Sequence, residues 1–160
     1  MAHDADALRR EIRQTRPFLS EAQEAAVAIL RTADVVRHRI AATVEPYGVT
    51  LQQYNVLRIL RGAHPDPLAT LEIGERLIER TPGMTRLLDR LEEKGLVRRE
   101  RCSEDRRQVL CRVTEAGLGL LASMDEEVDR ADAAAVRHLA PEEMRSLLAL
   151  LQKVRRGAGS

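Results

Sequence analysis

Two short amphipathic segments in close succession constrain the fold of this chain more than any other feature of its sequence. Thr70 is a typical N-cap residue, and apolar residues follow it at helical spacing. A second segment opens at Thr81-Pro82, with proline at a first helical position, and closes at Lys94-Gly95. About three residues separate the two segments, which is the spacing of a helix-turn-helix.

The hydrophobic period changes immediately after the second segment. Residues 96–101 and 108–113 have the pattern of two short strands around a polar turn. A β-hairpin attached to a helix-turn-helix forms a wing. The predicted fold is therefore a winged helix-turn-helix, mainly α with a small β-hairpin (α+β).

Long amphipathic segments flank this central part. Residues 20–48 and 114–156 have apolar stripes at helical spacing, which would most readily be buried against a second copy of the chain. We expect these two regions to form a helical dimerisation region and residues 49–113 to form a DNA-binding lobe. Residues 1–19 are predicted to be a short helix or an N-terminal arm.

The composition excludes several classes of protein. Aromatic residues make up only 2% of the chain, which argues against all-β folds and against proteins that stack single-stranded bases on aromatic rings. The longest apolar run, residues 25–30, is too short to span a bilayer, and the start lacks the pattern of a secretory signal. A cytoplasmic protein without membrane contacts is the expected class.

No catalytic motif is recognisable in the sequence. The chain has no Gly-rich phosphate loop, nucleophile elbow or HExxH motif, and its histidines and cysteines lack the spacing of metal ligands. We therefore expect a protein that is not an enzyme and that needs no cofactor and no metal.

Charge is distributed unevenly along the chain although the net charge is only +1. Residues 76–112 include eleven Lys and Arg and seven Asp and Glu. Residues 115–145 include eight Asp and Glu and three Arg. A basic middle followed by an acidic tail suggests one surface that binds a polyanion.

The motifs of the central region resemble those of the MarR family of winged-helix regulators. The resemblance is carried by LEIGERL at 71–77, by TPGMTRLLDRLEEKGLV at 81–97, and by RCSEDRR at 101–107 with VTEAG at 113–117. The order of helices resembles the family from about residue 20 to residue 154. The resemblance implies a symmetric homodimer that binds double-stranded DNA at palindromic operators.

The second helix of the pair is the predicted recognition helix for the major groove. Its polar face presents Arg86 for a guanine edge, with Arg90 beside it, whereas Thr81 and Thr85 suit phosphate contacts. Gly83 would let the start of the helix approach the DNA backbone. The alternative is that Arg86 and Arg90 form an ordinary solvated face, paired with Asp89 and Glu93.

The wing carries the second predicted DNA contact. By resemblance to the family, Arg107 would enter the minor groove, and Asp105 would hold an arginine side chain, either that of Arg106 or one on the recognition helix. The alternative is a charged turn that serves only solubility.

Regulation leaves several hypotheses open. By resemblance, a small phenolic or lipophilic ligand would release DNA, with His38, Tyr47 and Tyr54 near its pocket, although they are first of all core or linker residues. A second hypothesis is thiol oxidation at Cys102 or Cys111, which would lie nearly opposite each other in a hairpin centred between them. A third is a winged helix that binds another protein and has no operator.

Overall fold

The computed structural model describes residues 6–79, 83–103, 105 and 107–158 of the chain. These residues belong to two compact units, Met1–Arg39 and Ile40–Ser160. In chain order the elements are α1 (Ala7–Glu11), α2 (Glu21–Val44), a 3-10 turn (Glu45–Tyr47), α3 (Leu51–Ala63), β1 (Leu68–Ala69), α4 (Thr70–Arg76), α5 (Met84–Glu93), β2 (Val97–Arg101), β3 (Val109–Val113), α6 (Glu115–Val136) and α7 (Pro141–Ala158). No described helix is long and apolar enough to cross a membrane.

The first unit contains α1 and most of α2. The side chain of Arg31 in α2 donates to Glu11 at the end of α1 over 2.8 Å. Arg9 pairs with Asp6 at 2.7 Å and also donates to a backbone carbonyl later in the segment. Residues 7–11 therefore form a short helix that is tied to α2 by an ion pair.

Three helices begin directly after a residue of a type that favours N-caps. These residues are Ser20 before α2, Thr50 before α3 and Thr114 before α6. The Ser20 hydroxyl accepts from a backbone N–H at 3.2 Å. Thr50 and Gln53 form a capping box, and Thr114 accepts from the Gly117 N–H at 3.1 Å. Each cap satisfies donors that the first helical turn leaves free.

The core of the second unit is built from aliphatic side chains, as the low aromatic content requires. Helices α3 and α6 pack against each other and against β3, and α5 packs against β2. The largest fully buried side chains are Leu57, Leu60, Ile73, Leu88, Leu91, Leu121 and Met124. This core supports the recognition helix and the wing on one framework, because both elements contribute residues to it.

The sheet has three antiparallel strands in the order β1–β3–β2, one more than the two predicted. Strand β1 pairs Leu68 with Cys111 and Ala69 with Leu110. The sequence prediction missed β1 because two residues cannot display a strand period. Strand β1 ties the start of α4 to the wing.

The helix-turn-helix differs from its prediction at α4. Thr70 is the first residue of the helix and not its cap, and its hydroxyl donates to the Val109 carbonyl in the wing over 3.2 Å. Helix α4 ends at Arg76 because Leu77 is extended (φ −64°, ψ 141°). Helix α5 is described from Met84 onward, and its predicted start at Thr81-Pro82 lies outside the described residues.

Helix α6 ends at Val136, three residues before the Leu139 that its apolar pattern suggests. Pro141 opens α7 at the first helical position, as expected for a residue without an N–H.

Candidate nucleic-acid interface

Helix α5 separates an apolar face from a polar one. Leu88 and Leu91 are buried in the core, whereas Thr85, Arg86 and Arg90 are exposed. The structure therefore brings three of the five predicted recognition residues together on one solvent-facing side of the helix. Thr81, predicted as a phosphate contact, lies outside the described residues.

Gly83 stands at the N-cap of α5 with φ of 88°. This left-handed conformation favours glycine, because an L side chain rarely adopts it. A Cβ added here would meet no other atom within 4 Å, so the glycine is explained by its backbone angle and not by crowding. Gly83 is exposed at the start of α5, the predicted recognition helix.

Asp105 organises the tip of the wing. Its carboxylate accepts from the Arg107 backbone N–H at 3.0 Å and from the Gln108 side-chain amide at 3.3 Å. Its backbone carbonyl accepts from the Gln108 N–H at 2.9 Å. The described contacts of Asp105 thus hold the turn itself and leave Arg107 exposed. Arg106, the suggested arginine partner, lies outside the described residues.

An ion-pair cluster joins the recognition helix to the wing. The Arg99 guanidinium on β2 lies 2.6 Å from Asp89 and 2.7 Å from Glu92, both on α5. The Arg99 backbone N–H also donates to Glu92, at 3.0 Å. Glu92 and Arg99 were not predicted as functional residues, whereas Asp89 was expected on the polar side of α5. An acid on the polar face of a helix followed closely by an arginine on the next strand is the signal that could have found them.

The hydrogen bonds from Arg99 hold the pKa of the Glu92 carboxyl below its ordinary value, the side-chain bond contributing more than the backbone bond. A carboxyl whose pKa is lowered by folding stabilises the fold above its unfolded pKa. That stabilisation is lost only as the pH falls through the lowered pKa. The ion pair between Glu92 and Arg99 is therefore charged at neutral pH.

The two cysteines are not opposite each other, contrary to the expectation from a hairpin centred between them. Strand β2 pairs Arg101 with Val109 and Arg99 with Cys111, whereas the Cys102 N–H donates to the Gln108 carbonyl. This register centres the hairpin on Asp105, so the cysteines are three positions out of register, or about 10 Å along the strand. A disulfide between them would require the wing to rearrange.

The two thiols are expected to differ sharply in reactivity. Cys111 is fully buried and burial raises its pKa, whereas Cys102 is only half-buried. Because the thiolate is the nucleophile, a thiol reagent should modify Cys102 at least about tenfold faster than Cys111 in the folded protein. Absorbance-monitored titration of the native Cys102→Ser and Cys111→Ser variants measures this ratio. Equal rates would contradict the buried position of Cys111.

The three residues suggested for a ligand pocket have separate surroundings. Tyr54 is 3% exposed and its ring lies under the Arg58 guanidinium, 5.7 Å away. The Tyr47 hydroxyl donates to the Ser123 carbonyl of α6 at 3.3 Å. His38 belongs to the first unit, is exposed, and contacts Asp34. Tyr54 is thus a core residue, and the Tyr47 hydroxyl links the 3-10 turn to α6 by a hydrogen bond.

A wide cleft of about 1220 Å³ lies between α4 and the wing. Its lining includes Leu71 and Ile78, which are 75% and 83% exposed, together with Val109 and Arg107. The suggested pocket residues do not line it. Among the described residues, no three His, Cys, Asp or Glu side chains stand close enough together to hold a metal ion.

Comparison with known proteins yields one family and one recurring fold. The family model that describes MarR sequences matches residues 49–109 of this chain. A MarR transcription factor from Planctomyces limnophilus is 39% identical, with 84% of this chain and 98% of that chain covered and a TM-score of 0.66.

Two proteins whose structures were solved in complex with DNA share the fold. MepR from S. aureus is 23% identical over 82% of this chain and 96% of its own, with a TM-score of 0.75. Sco3205 from Streptomyces coelicolor, a MarR family transcriptional regulator, is 23% identical over 90% and 92%, with a TM-score of 0.77. These two likenesses concern the fold alone.

Proposed function

This chain belongs to the MarR family of transcription regulators, and from that premise we propose that it binds double-stranded DNA sequence-specifically as a homodimer and represses transcription. In this proposal α5 enters the major groove and the wing reaches the adjacent minor groove. Each protomer contacts one half of an inverted repeat. The DNA-bound structures of MepR and Sco3205 support the proposal by fold.

One observation carries the proposal beyond the fold. Arg86 and Arg90 are exposed on the polar side of α5, and Arg107 is exposed at the tip of the wing. Two separate elements of the lobe thus present guanidinium groups to solvent, and the Arg99 cluster joins those elements. Guanidinium groups suit both guanine edges and the negative potential of a narrow minor groove. Protein-interaction cores are usually depleted in charge, which favours DNA as the partner.

The homodimer is supported by apolar side chains that the single chain leaves uncovered. On α7, Leu150 is 59% exposed and Val154 is 50% exposed. Further exposed apolar residues in the predicted dimerisation region are Leu30, Val35, Leu139, Leu147 and Leu148. Exposed apolar residues that recur along a helix, as on α7, are typical of a surface that pairs with its own copy.

Glutamate at both Leu150 and Val154 is expected to convert the dimer to a monomer. Burying one such side chain contributes about 1.5–3 kcal/mol, and each substitution occurs twice in a symmetric interface. Sedimentation equilibrium measures the dissociation constant, which should rise by at least about 1,000-fold. Gln152→Glu, an exposed position on the same helix, is the matched control and should stay dimeric. A double variant that remains a dimer would place the interface elsewhere.

Selection of genomic DNA fragments by the purified protein, at two salt concentrations, tests the DNA-binding function. Enrichment of one inverted repeat at both concentrations is the expected result. Phosphate contacts release counterions, so the affinity should fall steeply with salt while the sequence preference persists. Weak binding without any sequence preference would favour the alternative of a protein-interaction module.

Release of DNA by a small phenolic or lipophilic ligand is the regulatory part of the proposal. Its support is membership in the family, and such a ligand would favour a lobe spacing that misfits the operator. Addition of a simple hydroxybenzoate to the protein–DNA complex tests it by fluorescence anisotropy. A concentration-dependent loss of operator binding, absent for benzyl alcohol at the same concentration, supports it. Equal effects of both compounds would count against it.

A further inference from the structure

We infer that Arg99 is a positioning residue for the recognition helix: it fixes α5 on wing strand β2 and keeps the Asp89 carboxylate away from Arg86. The inference rests on the proposed DNA-binding function and adds to it a residue that itself need not touch DNA. It is carried by the contacts that Arg99 makes with two acids of α5.

Arg99 bonds α5 through both its side chain and its backbone. The guanidinium Nε and Nη2 lie 2.9 Å and 2.7 Å from Glu92 Oε2, and the backbone N–H lies 3.0 Å from Glu92 Oε1. Nη2 also lies 2.6 Å from Asp89 Oδ1. A planar guanidinium that bonds two carboxylates fixes direction as well as distance. The Arg99 contacts therefore help to fix the angle between α5 and β2, together with the buried side chains of the two elements.

The position of Asp89 explains why the contacts of Arg99 matter for DNA binding. Asp89 is three residues after Arg86 on α5, and oppositely charged residues at this spacing are neighbours on a helix surface. Without Arg99, the Asp89 carboxylate would be free to pair with Arg86 and would stand unpaired beside DNA phosphates. Arg99 has a side chain that is only 23% exposed, whereas that of Asp89 is 42% exposed. The half-buried arginine thus neutralises a carboxylate on the face proposed to meet DNA.

The same contacts link the two DNA-contacting elements. Helix α5 carries Arg86, and β2 leads through the hairpin to Arg107. Fixing α5 on β2 therefore fixes the separation between the groove contact of the helix and that of the wing. Small displacements of these elements would weaken contacts with base edges more than contacts with phosphates, because base contacts depend on direction. Loss of Arg99 should accordingly reduce specificity more than general affinity.

The test compares affinity for the selected operator with affinity for random DNA of the same length. Arg99→Gln should lower the ratio of the two affinities about tenfold. Arg112→Gln is the matched control, because Arg112 is an arginine of the neighbouring strand β3 whose described contacts are Glu100 and the Pro65 carbonyl. The affinity ratio of the Arg112→Gln protein should stay within about twofold of the ratio of the unmodified protein.

A second substitution separates positioning from a general structural role. In the Arg99→Gln background, Asp89→Asn removes the carboxylate that Arg99 neutralises, so the ratio should recover by at least about threefold. If Arg99 had only a general structural role, removing its partner Asp89 as well would not restore the affinity ratio. If Arg99→Gln melts below the assay temperature, Arg99→Lys replaces it, with an expected fall of about threefold.

The outcomes are distinguishable from failure of the proposed function. If the unmodified protein prefers no sequence, the proposed function fails before Arg99 is tested. If it has an operator and Arg99→Gln, or its lysine substitute, leaves the ratio unchanged, the inference is overturned. It is also overturned if Arg112→Gln lowers the ratio equally, or if Asp89→Asn brings no recovery.

Discussion

Alanine at both Arg86 and Arg107 is expected to lower the affinity for the operator by at least about 1,000-fold while leaving the fold intact. Both side chains are exposed, and the described structure gives neither guanidinium an ion-pair partner. Each guanidinium contact with a base edge or a narrow groove contributes about 1–3 kcal/mol, and a dimer loses two of each. At the lower limit the four losses amount to about 4 kcal/mol, which corresponds to about 1,000-fold.

The control for this variant removes the same charge elsewhere. Arg130→Ala combined with Arg137→Ala removes one arginine from α6 and one from the residue that follows it, in the acidic part of the chain. Its operator affinity should change by no more than a few-fold, and both variants should melt at the temperature of the unmodified protein. An Arg86→Ala/Arg107→Ala protein that retained the operator preference would show that other residues recognise the sequence.

Alanine at Gly117 is expected to lower the free energy of unfolding by about 3 kcal/mol, the upper end of the range for overpacking a core. A Cβ at this position would overlap the Leu96 carbonyl oxygen and lie 2.7 Å from Val113 Cγ2. The Leu96 carbonyl cannot easily give way, because it accepts the Thr114 N–H at 3.1 Å. Thermal unfolding should show a fall of about 10 °C in Tm.

Gly119 provides the matched control two residues further along α6. A Cβ there would meet nothing within 4 Å, so alanine gains helix propensity without a clash. The Gly119→Ala protein should be up to about 1 kcal/mol more stable than the unmodified chain. Similar stabilities for the two variants would mean that the start of α6 is not packed against the Leu96 carbonyl as described.

The features that local chemistry decides were predictable from the sequence. The apolar spacing of Leu88 and Leu91 correctly identified the inward face of α5, and hence the exposed side of Arg86 and Arg90. Thr50 and Thr114 correctly marked helix starts, because an N-cap needs only a side-chain oxygen within reach of the next turn. The winged-helix fold followed from these elements and from their order.

The features that depend on distant pairing were not predictable. Thr70 bonds a strand 39 residues away instead of capping its own helix, and no local pattern encodes that choice. The register of the hairpin is set by the turn around Asp105, so a midpoint drawn between the cysteines was wrong. Arg99 was missed for the same reason, since its importance lies in two partners on another element.

The spacing of half-sites tests the central claim, a homodimer that binds an inverted repeat, most directly. A symmetric dimer places its two recognition helices about one turn of DNA apart, near 34 Å. Inserting five base pairs at the centre of the selected repeat rotates one half-site by about half a turn away from its helix. The account predicts that affinity then falls to that of a single half-site, as measured by fluorescence anisotropy. Undiminished affinity for the spaced repeat would contradict it, because it would mean that each half-site is bound independently.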